Sequence, residues 1–423
     1  MSTLLIKNGT LVFSDCTKKG DIYAENGVIT QVGEVNATAD VVIDATDKVV
    51  FPGFIDLHAH FREPGFEGKE TIETGSKAAV AGGYTQVCVM PNTNPVTDNP
   101  AMVCYVKMRG EEVGLCRVNP IGAITRGENG ESLSEIGKMK LCGAVAISDD
   151  GKPVESSNMM RLAIEYAADH GMVVLSHCED KDLAGDGVVN EGFSATLAGL
   201  KGQSRAAEEV MVAREIVLAD TLQKHVHLCH LSTKGSVHLV RDAKKRGVNV
   251  TAETCPHYFA ANDSIIVTRD ANTKVNPPVR EEEDRLAIIE GLRDGTLDVI
   301  ATDHAPHTWG DKNVEYQLAA FGISGLETAF GLAYTRLVKE QNFTLPDLCK
   351  LMSTAPSEVL GLVGGKIEVG AVADFAICDV NKTWVVDSTK FYSKGKNTPF
   401  NGLELTGKVV TTVMGGKVVY QGE

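Results

Sequence analysis

GAVAISDDGKPVESSNMMRLAIEYAADHGMVVLSHC, residues 143–178, decides the fold. A short apolar run, Gly143–Asp150, leads into a helix-like stretch, SNMMRLAIEYAADHG, and that leads into a second apolar run, Met172–Cys178. Short apolar runs alternating with helical stretches imply a parallel sheet. The alternation extends from about residue 51 to 354. Its other strand candidates are FPGFIDLHAH, GYTQVCVMPN, VNPIGAIT, HVHLCHLS, VNVTAETCP and LDVIATDHA, and SRAAEEVMVAREIVLADTL is a further helix candidate. About eight such units predict a closed (β/α)8 barrel of the TIM type, not an open doubly wound sheet. No G-x-G-x-x-G follows any of these runs, which weakens a nucleotide-binding alternative.

On either side the pattern changes. LLIKNGTLVF, DIYAENGVITQVG and DVVIDATDKVVFPG read as short strands rich in β-branched residues and broken by Asn-Gly, Gly or Asp. Strand and turn signals return in GGKIEVGAVADFAICDV and GKVVTTVMGGKVVYQGE. The economical arrangement is one small β-rich domain assembled from residues 1–50 and 355–423, flanking a catalytic barrel over 51–354.

Composition limits the partners. The chain has 423 residues and a formal net charge of −15. A field of that sign repels the phosphates of nucleic acid and an anionic membrane surface. It does not exclude a small anionic substrate, because a local Arg or a metal dominates inside a cleft. The ten cysteines include no C-x-x-C pair, and several lie in apolar runs. They read as reduced thiols of a cytoplasmic protein. MSTLLIKNGTLVF has no basic segment before a long apolar core, and no stretch approaches the roughly 18 apolar residues of a membrane span.

In a barrel of this kind the chemistry stands at the C-terminal ends of the strands. In Phe54–Arg62, strand alternation puts His58, His60 and Arg62 on one face. Two imidazoles two residues apart can chelate one metal ion, although an isolated H-x-H is more often a hydrogen-bonded core pair. Asp149 and Asp150 end the next polar-tipped run; alone they would read as a turn. His177 ends the run after that. In His225–Ser232, His230 shares a face with Val226 and Leu228 while His225 and His227 share the other, which favours His230 as a ligand. In Leu297–His307, Asp303 ends the buried strand, and a buried Asp requires a partner. Four histidines and two aspartates at the ends of separate strands suit zinc, with cobalt or manganese as alternatives. Their number allows two ions sharing a bridging carboxylate.

The string DLHAHFREPGFEGKETIETGSKAAVAGGYTQVCVMPNTNP, with ISDDG, SHCED, HLCHLST, ETCPHY, NPPVR, ATDHAPH, FGISGLETAF and SKGKNTPFNGLELTGKV, resembles the amidohydrolase superfamily and, within it, the bacterial type I dihydroorotases. The similarity runs nearly end to end. It implies that His58, His60 and Asp303 hold one Zn2+ ion, that His177 and His230 hold a second, and that Asp150 bridges them. It implies that Arg62, Asn92 and His307 grip a substrate carboxylate, with Asn276 and the backbone around Phe321 and Gly322 near a pyrimidine ring. The implied reaction is the reversible hydrolysis of L-dihydroorotate to N-carbamoyl-L-aspartate in pyrimidine biosynthesis, with Asp303 carrying the proton. A homodimer and an association with aspartate transcarbamoylase are the implied partners.

Hydantoinases, dihydropyrimidinases and allantoinases usually bridge their metals with a carboxylated lysine, and GAVAISDDG contains none. Those cyclic amidases are the nearest alternative. An inactive scaffold for the transcarbamoylase is a second, and it should have lost ligands that this chain retains. Single positions also have plainer readings: an Arg62–Glu63 ion pair, a turn-forming Asn92, a His307 that touches no substrate, or Asp149 as the true bridge. His257 and His304 read as structural. HTWGDKNVEYQLAAFG departs in detail from the family and is expected to cover the site.

Overall fold

The computed structural model describes residues 2–422. Eight strands lie side by side in chain order: Phe54–Ala59, Tyr84–Val89, Arg117–Gly122, Ala146–Ile147, Val174–Ser176, Val226–Leu228, Val250–Thr254 and Val299–Ile300. Each pairs in parallel with the next. The eighth returns to the first through a parallel bridge between Ala59 and His304 and through Asp56. Asp56 Oδ1 accepts from Thr302 N at 2.9 Å, and Oδ2 accepts from Thr302 Oγ1 at 2.5 Å. The sheet is therefore a nearly closed TIM-type barrel, as the alternation predicts.

The helix Ser157–Asp169 shows why the local sequence behaves this way. Ser156 caps it, its hydroxyl accepting from Met159 N. Met160, Ala163, Ile164 and Ala167 recur at helical spacing and form its buried stripe. Gly171, at φ +65°, turns the chain back toward the next strand.

Alternation along the strands divides the core. Ile55, Leu57, Cys88, Ile121, Ala146, Leu175, Cys229 and Val299 fill the barrel interior, with Ala355 and Val359 packed against them. Val87, Val118, Ile147, Val174, Val226, Leu228 and Ile300 point outward into the layer shared with the helices.

A second sheet is made from both ends of the chain. Its order is Lys417–Gln421, Glu404–Met414, Phe375–Val385, Val49–Pro52, Thr3–Val12, Thr17–Glu25 and Val28–Gly33, with Val41–Asp44 also on Thr3–Val12. The seam between the termini is antiparallel, pairing Phe375 with Pro52 and Cys378 with Val49. This is the β-rich unit that the turn-punctuated ends predict. Phe51 of this sheet packs on Phe54 of the barrel at 5.5 Å between ring centroids, and Phe330 stacks on Phe54 at 5.6 Å.

Two features were not legible in the sequence. The runs around Asp150 and Asp303 contain only two residues of regular strand each, because the chain bends away as it reaches the site. A small parallel pair, Val189–Asn190 with Gly202–Gln203, lies outside both sheets. Among the described residues all ten cysteines are free thiols, and no helix is long and apolar enough to cross a membrane.

Phe54 is fully buried at the seam between sheet and barrel. Phe54→Ala should cost about 3–5 kcal/mol, from lost transfer energy plus the cavity left behind. A urea-unfolding comparison with wild type checks this; a cost under about 1 kcal/mol would mean the seam does not support the fold.

Candidate metal centre and substrate cavity

The ends of the barrel strands converge on one buried spot. His60 Nε2 lies 3.2 Å from Asp303 Oδ1, and His58 Nε2 lies 3.6 Å from the same oxygen. Asp150 stands between the two groups of histidines. Its Oδ1 is 3.4 Å from His58 Nε2, 3.3 Å from His177 Nδ1 and 3.4 Å from His230 Nε2, while Oδ2 is 3.4 Å from His60 Nε2. The sets His58–His60–Asp303 and His58–Asp150–His230 each gather three ligand atoms within 4.8 Å of one another.

The donor chemistry fits a metal. His58 Nε2 is buried with no hydrogen-bond partner although two carboxylates are close by. On three of the four imidazoles the opposite nitrogen is already committed, while His230 Nδ1 is buried without a partner. His58 Nδ1 faces Glu253 Oε1 at 2.9 Å, His60 Nδ1 faces Asn92 Oδ1 at 2.9 Å, and His177 Nε2 faces Glu179 Oε2 at 3.3 Å. Each outer acceptor fixes a tautomer and leaves the inner nitrogen's lone pair free for an ion.

Asp149 takes no part in this cluster. Its Oδ1 accepts from Ile124 N at 2.7 Å and Thr125 N at 3.1 Å, and its Oδ2 accepts from the Thr125 hydroxyl. Of the pair, only Asp150 faces the histidines.

His230 reaches the cluster by a route that alternation does not describe. Val226 and Leu228 point outward, while Cys229 points into the barrel. The chain then turns at His230, whose φ is +37°, and Asp303 and Arg62 also have positive φ, +45° and +61°. Non-glycine residues rarely adopt that region, and the cost is of order 1–3 kcal/mol each. Three such residues around one cavity indicate a site whose geometry overrides local preference. Arg62 likewise lies beyond the strand that holds His58, so it reaches the cavity by a turn and not by strand parity. His227 points inward below the cluster and shares Glu253 with His58, its Nε2 at 3.1 Å from Oε2.

A cavity of about 340 Å³ opens above the cluster. Of the expected residues, His60, Asp150, His177, His230, Asp303, Arg62, Asn92, Asn276, His307, Phe321 and Gly322 line it; His58 lies beneath. Arg62 is not paired with Glu63, which accepts from Tyr105 Oη at 2.8 Å and Arg109 Nε at 3.2 Å. The guanidinium instead donates to Pro306 O at 3.4 Å and lies 3.4 Å from His307 Nε2. Burial lowers its pKa to about 10, so it remains charged at neutral pH. Burial, helped by Arg62 and Lys69, pushes the His307 pKa down to about 2, and the ring is neutral. His307 Nε2–H donates to Phe321 O at 2.7 Å, and Nδ1 accepts from Lys69 Nζ at 3.3 Å.

Asn276 donates from Nδ2 to Glu179 Oε1 at 3.1 Å and leaves its Oδ1 buried and unpartnered. The backbone around Phe321 and Gly322 is committed within the protein: Phe321 O to His307, and Gly322 N to Lys274 O at 2.9 Å. The loop HTWGDKNVEYQLAAFG does not cover the cavity over its whole length. Only His307, Phe321 and Gly322 line it. The middle is drawn away because Lys312 Nζ donates to the carbonyls of Ala271, Lys274 and Ala320 at 2.7–3.1 Å. His304, beside Asp303, faces Glu70 Oε2 at 3.2 Å and accepts from Gly325 N at 3.2 Å. His257 Nε2 is buried without a hydrogen-bond partner.

Sequence reasoning did not single out Glu253, Glu179 or Gln203. Glu253, in the buried run VTAET, was open to the argument that drew attention to Asp303, since a buried acid requires a partner. Gln203 Nε2 donates to Glu179 Oε1 at 2.9 Å from a segment with no periodic signal.

Residues 47–236 match the family model described as Dihydro-orotase-like. The chain is 51% identical over 421 residues to "Dihydroorotase" of Acetivibrio thermocellus, covering 98% of each chain. It is 52% identical over 421 residues to "Dihydroorotase" of Pelotomaculum thermopropionicum, covering 99% of this chain and 98% of that one. Among solved structures, the L-hydantoinase (dihydropyrimidinase) of Arthrobacter aurescens superposes with a TM-score of 0.89 at 26% identity, covering 100% of this chain and 97% of the other.

The contact between Glu253 and His58 has a measurable consequence. Glu253→Gln should weaken divalent-metal affinity by about 10–100-fold, read by competition with a chelator. Unchanged affinity would show that Glu253 does not orient the ligand.

Proposed function

The chain belongs to the dihydroorotase-like family of amidohydrolases, and from that premise we propose that it interconverts L-dihydroorotate and N-carbamoyl-L-aspartate in de novo pyrimidine biosynthesis. The observation that carries this reading is the placement of Arg62. A charged guanidinium, free of its neighbouring acid, opens onto the same cavity as a buried cluster of imidazoles and carboxylates. A cyclic amide bearing a carboxylate needs both ends.

In this proposal His58, His60 and Asp303 would hold one Zn2+ ion and His177 and His230 a second, with Asp150 within reach of both groups of histidines. Zinc held there would supply a hydroxide nucleophile at neutral pH and a Lewis acid for the ring carbonyl. Arg62 binds the substrate carboxylate through a two-pronged fork. The Nδ2 of Asn92 adds a polar contact on the same side, and neutral His307 does so by turning its Nε2–H from Phe321 O to the substrate. The unpartnered Oδ1 of Asn276 accepts a ring N–H. The Asp303 carboxylate takes up the proton released as the carbonyl carbon is attacked and delivers it to the ring nitrogen as the C–N bond breaks. Ring closure uses the same groups in reverse.

The finer assignments also belong to this proposal: the type I subgroup, two zinc ions, and a cytoplasmic homodimer that associates with aspartate transcarbamoylase. The subgroup, the homodimer and the association rest on the resemblance of the motif strings, the ion count also on the number of candidate ligands, and the cytoplasmic reading on the reduced thiols. The division at 1–50 and 355–423 against 51–354 is proposed from the change between alternating strand and helix signals and turn-punctuated strands, and the shared sheet supports it. The hydantoinase neighbours fit the alternative substrate class. Full-length relatives near 50% identity and an aspartate at the bridging position favour dihydroorotate.

Turnover of both compounds by the purified protein, before and after chelation and zinc restoration, tests the reading. Activity that is lost and then restored is expected, and inactivity with metal bound would redirect it to other cyclic amides. Asp303→Asn should abolish turnover and keep the fold, whereas near-normal activity would remove Asp303 from the proton path. Arg62→Met should impair dihydroorotate far more than a ring without the carboxylate, and equal losses would remove the argument from charge.

A further inference from the structure

The loop that carries His307 at one end and Phe321–Gly322 at the other is tied down from outside the barrel. The tie is Asn397, 3% exposed, in the segment joining the strands Phe375–Val385 and Glu404–Met414 of the small sheet. Its side-chain oxygen accepts from His307 N–H at 2.9 Å and lies 3.1 Å from Ser324 Oγ, whose hydroxyl is shared with Gly395 O at 2.9 Å. Its Nδ2 donates to Ala305 O at 3.0 Å and Gly322 O at 2.9 Å. Its backbone carbonyl accepts from Ser324 N at 2.8 Å. Both donors and the acceptor of one planar amide are thus used on the two ends of a single loop. The amide orientation follows from its partners, since exchanging O and N would set donors against donors and an acceptor against carbonyls.

The segment that carries Asn397 is itself anchored. Glu327 accepts from the backbone N–H groups of Tyr392 and Ser393, both at 3.1 Å. Ser393 Oγ donates at 2.5 Å to Glu70, the carboxylate that also faces His304 beside Asp303. Gly395 lies against Pro306 so closely that a Cβ there would stand 2.4 Å from the proline ring.

We propose that Asn397 is a positioning residue for the reaction, through which the small sheet sets where His307 and the Phe321–Gly322 backbone stand against the substrate. The inference rests on the functional reading above, in which His307 at one end of this loop contacts the substrate, while Phe321 and Gly322 at the other end line its cavity. A pinned loop has already lost the freedom that substrate binding would otherwise have to remove. Without Asn397, His307 is free to drift from Arg62, while Asp303 and the histidine cluster stay on the strand ends. The signature is weakened substrate binding with the chemical step largely intact.

The test uses the full-length, zinc-loaded enzyme with L-dihydroorotate. Asn397→Ala should raise KM by about 10–100-fold and change kcat by less than about threefold, with metal content unchanged. Asn397→Asp has the same size and keeps the acceptor for His307 N–H, but sets a carboxylate oxygen against the carbonyls of Ala305 and Gly322. Its KM should rise at least as far; a space-filling role would leave it unmoved. If Asn397→Ala does not fold, Ser324→Ala removes one contact of the tie and should raise KM by about 2–5-fold. An active wild type with unmoved KM in the variants overturns this inference alone. So does a fall confined to kcat, or a KM that rises only in step with lost metal. A wild type inactive toward dihydroorotate overturns the functional reading and this inference with it.

Discussion

The structure depends on the burial of two carboxylates among four imidazoles. Asp150 and Asp303 are each about 5% exposed, and His58 is completely enclosed. Such groups cannot share one spot in a low-dielectric interior unless their lone pairs and charges are compensated. The surroundings are organised around that need. Glu253, Asn92 and Glu179 take the outer ring nitrogens of His58, His60 and His177, and Asp149 is held aside by Ile124 and Thr125. A cation held in such a cluster would compensate both carboxylates and take up the inward-facing lone pairs.

The substrate end of the cavity has the opposite electrostatic character. In a chain with a net charge of −15, Arg62, Lys69, Lys274 and Lys312 gather around one loop. Lys312 is buried and feels Lys274, which holds its pKa down to about 7, and three carbonyls receive its N–H groups. Lys274 sits 4.4 Å over the Phe321 ring. Of these four only Arg62 lines the cavity, so the positive charge they present to it rests on the guanidinium, against the sign of the whole molecule.

Most of the fold was legible because its signals are local. An apolar run of strand length followed by a capped amphipathic stretch specifies a βα unit, as in Gly143–Cys178. The small sheet was legible from turn punctuation at the two ends. Alternation failed where strands stop: His230, Asp303 and Arg62 enter the cavity through positive-φ turns, and nothing in a period of two encodes a turn. The contacts of Glu179 with Gln203 and Asn276, and of Asn397 with His307, join residues tens of positions apart in the chain. Such pairings are set by tertiary geometry, so residue type alone could not reveal them. Glu253 was within reach, because an acid in an apolar run needs an explanation wherever it falls.

The seam between the two ends of the chain also imposes a schedule. Val49–Pro52 finds its antiparallel partner only in Phe375–Val385, some 320 residues later. At a synthesis rate of about 5–20 residues per second, that strand emerges about 15–65 seconds before the strand that covers it. Throughout that interval an apolar strand edge, VVFP, stands open on the nascent protein. The interval is long compared with folding of a βα unit, so the barrel can close before the sheet beside it is complete. The ribosome must therefore deliver a molecule in which the free edge of Val49–Pro52 is among the last to be covered, and the cell must keep that edge from pairing with a stranger in the meantime.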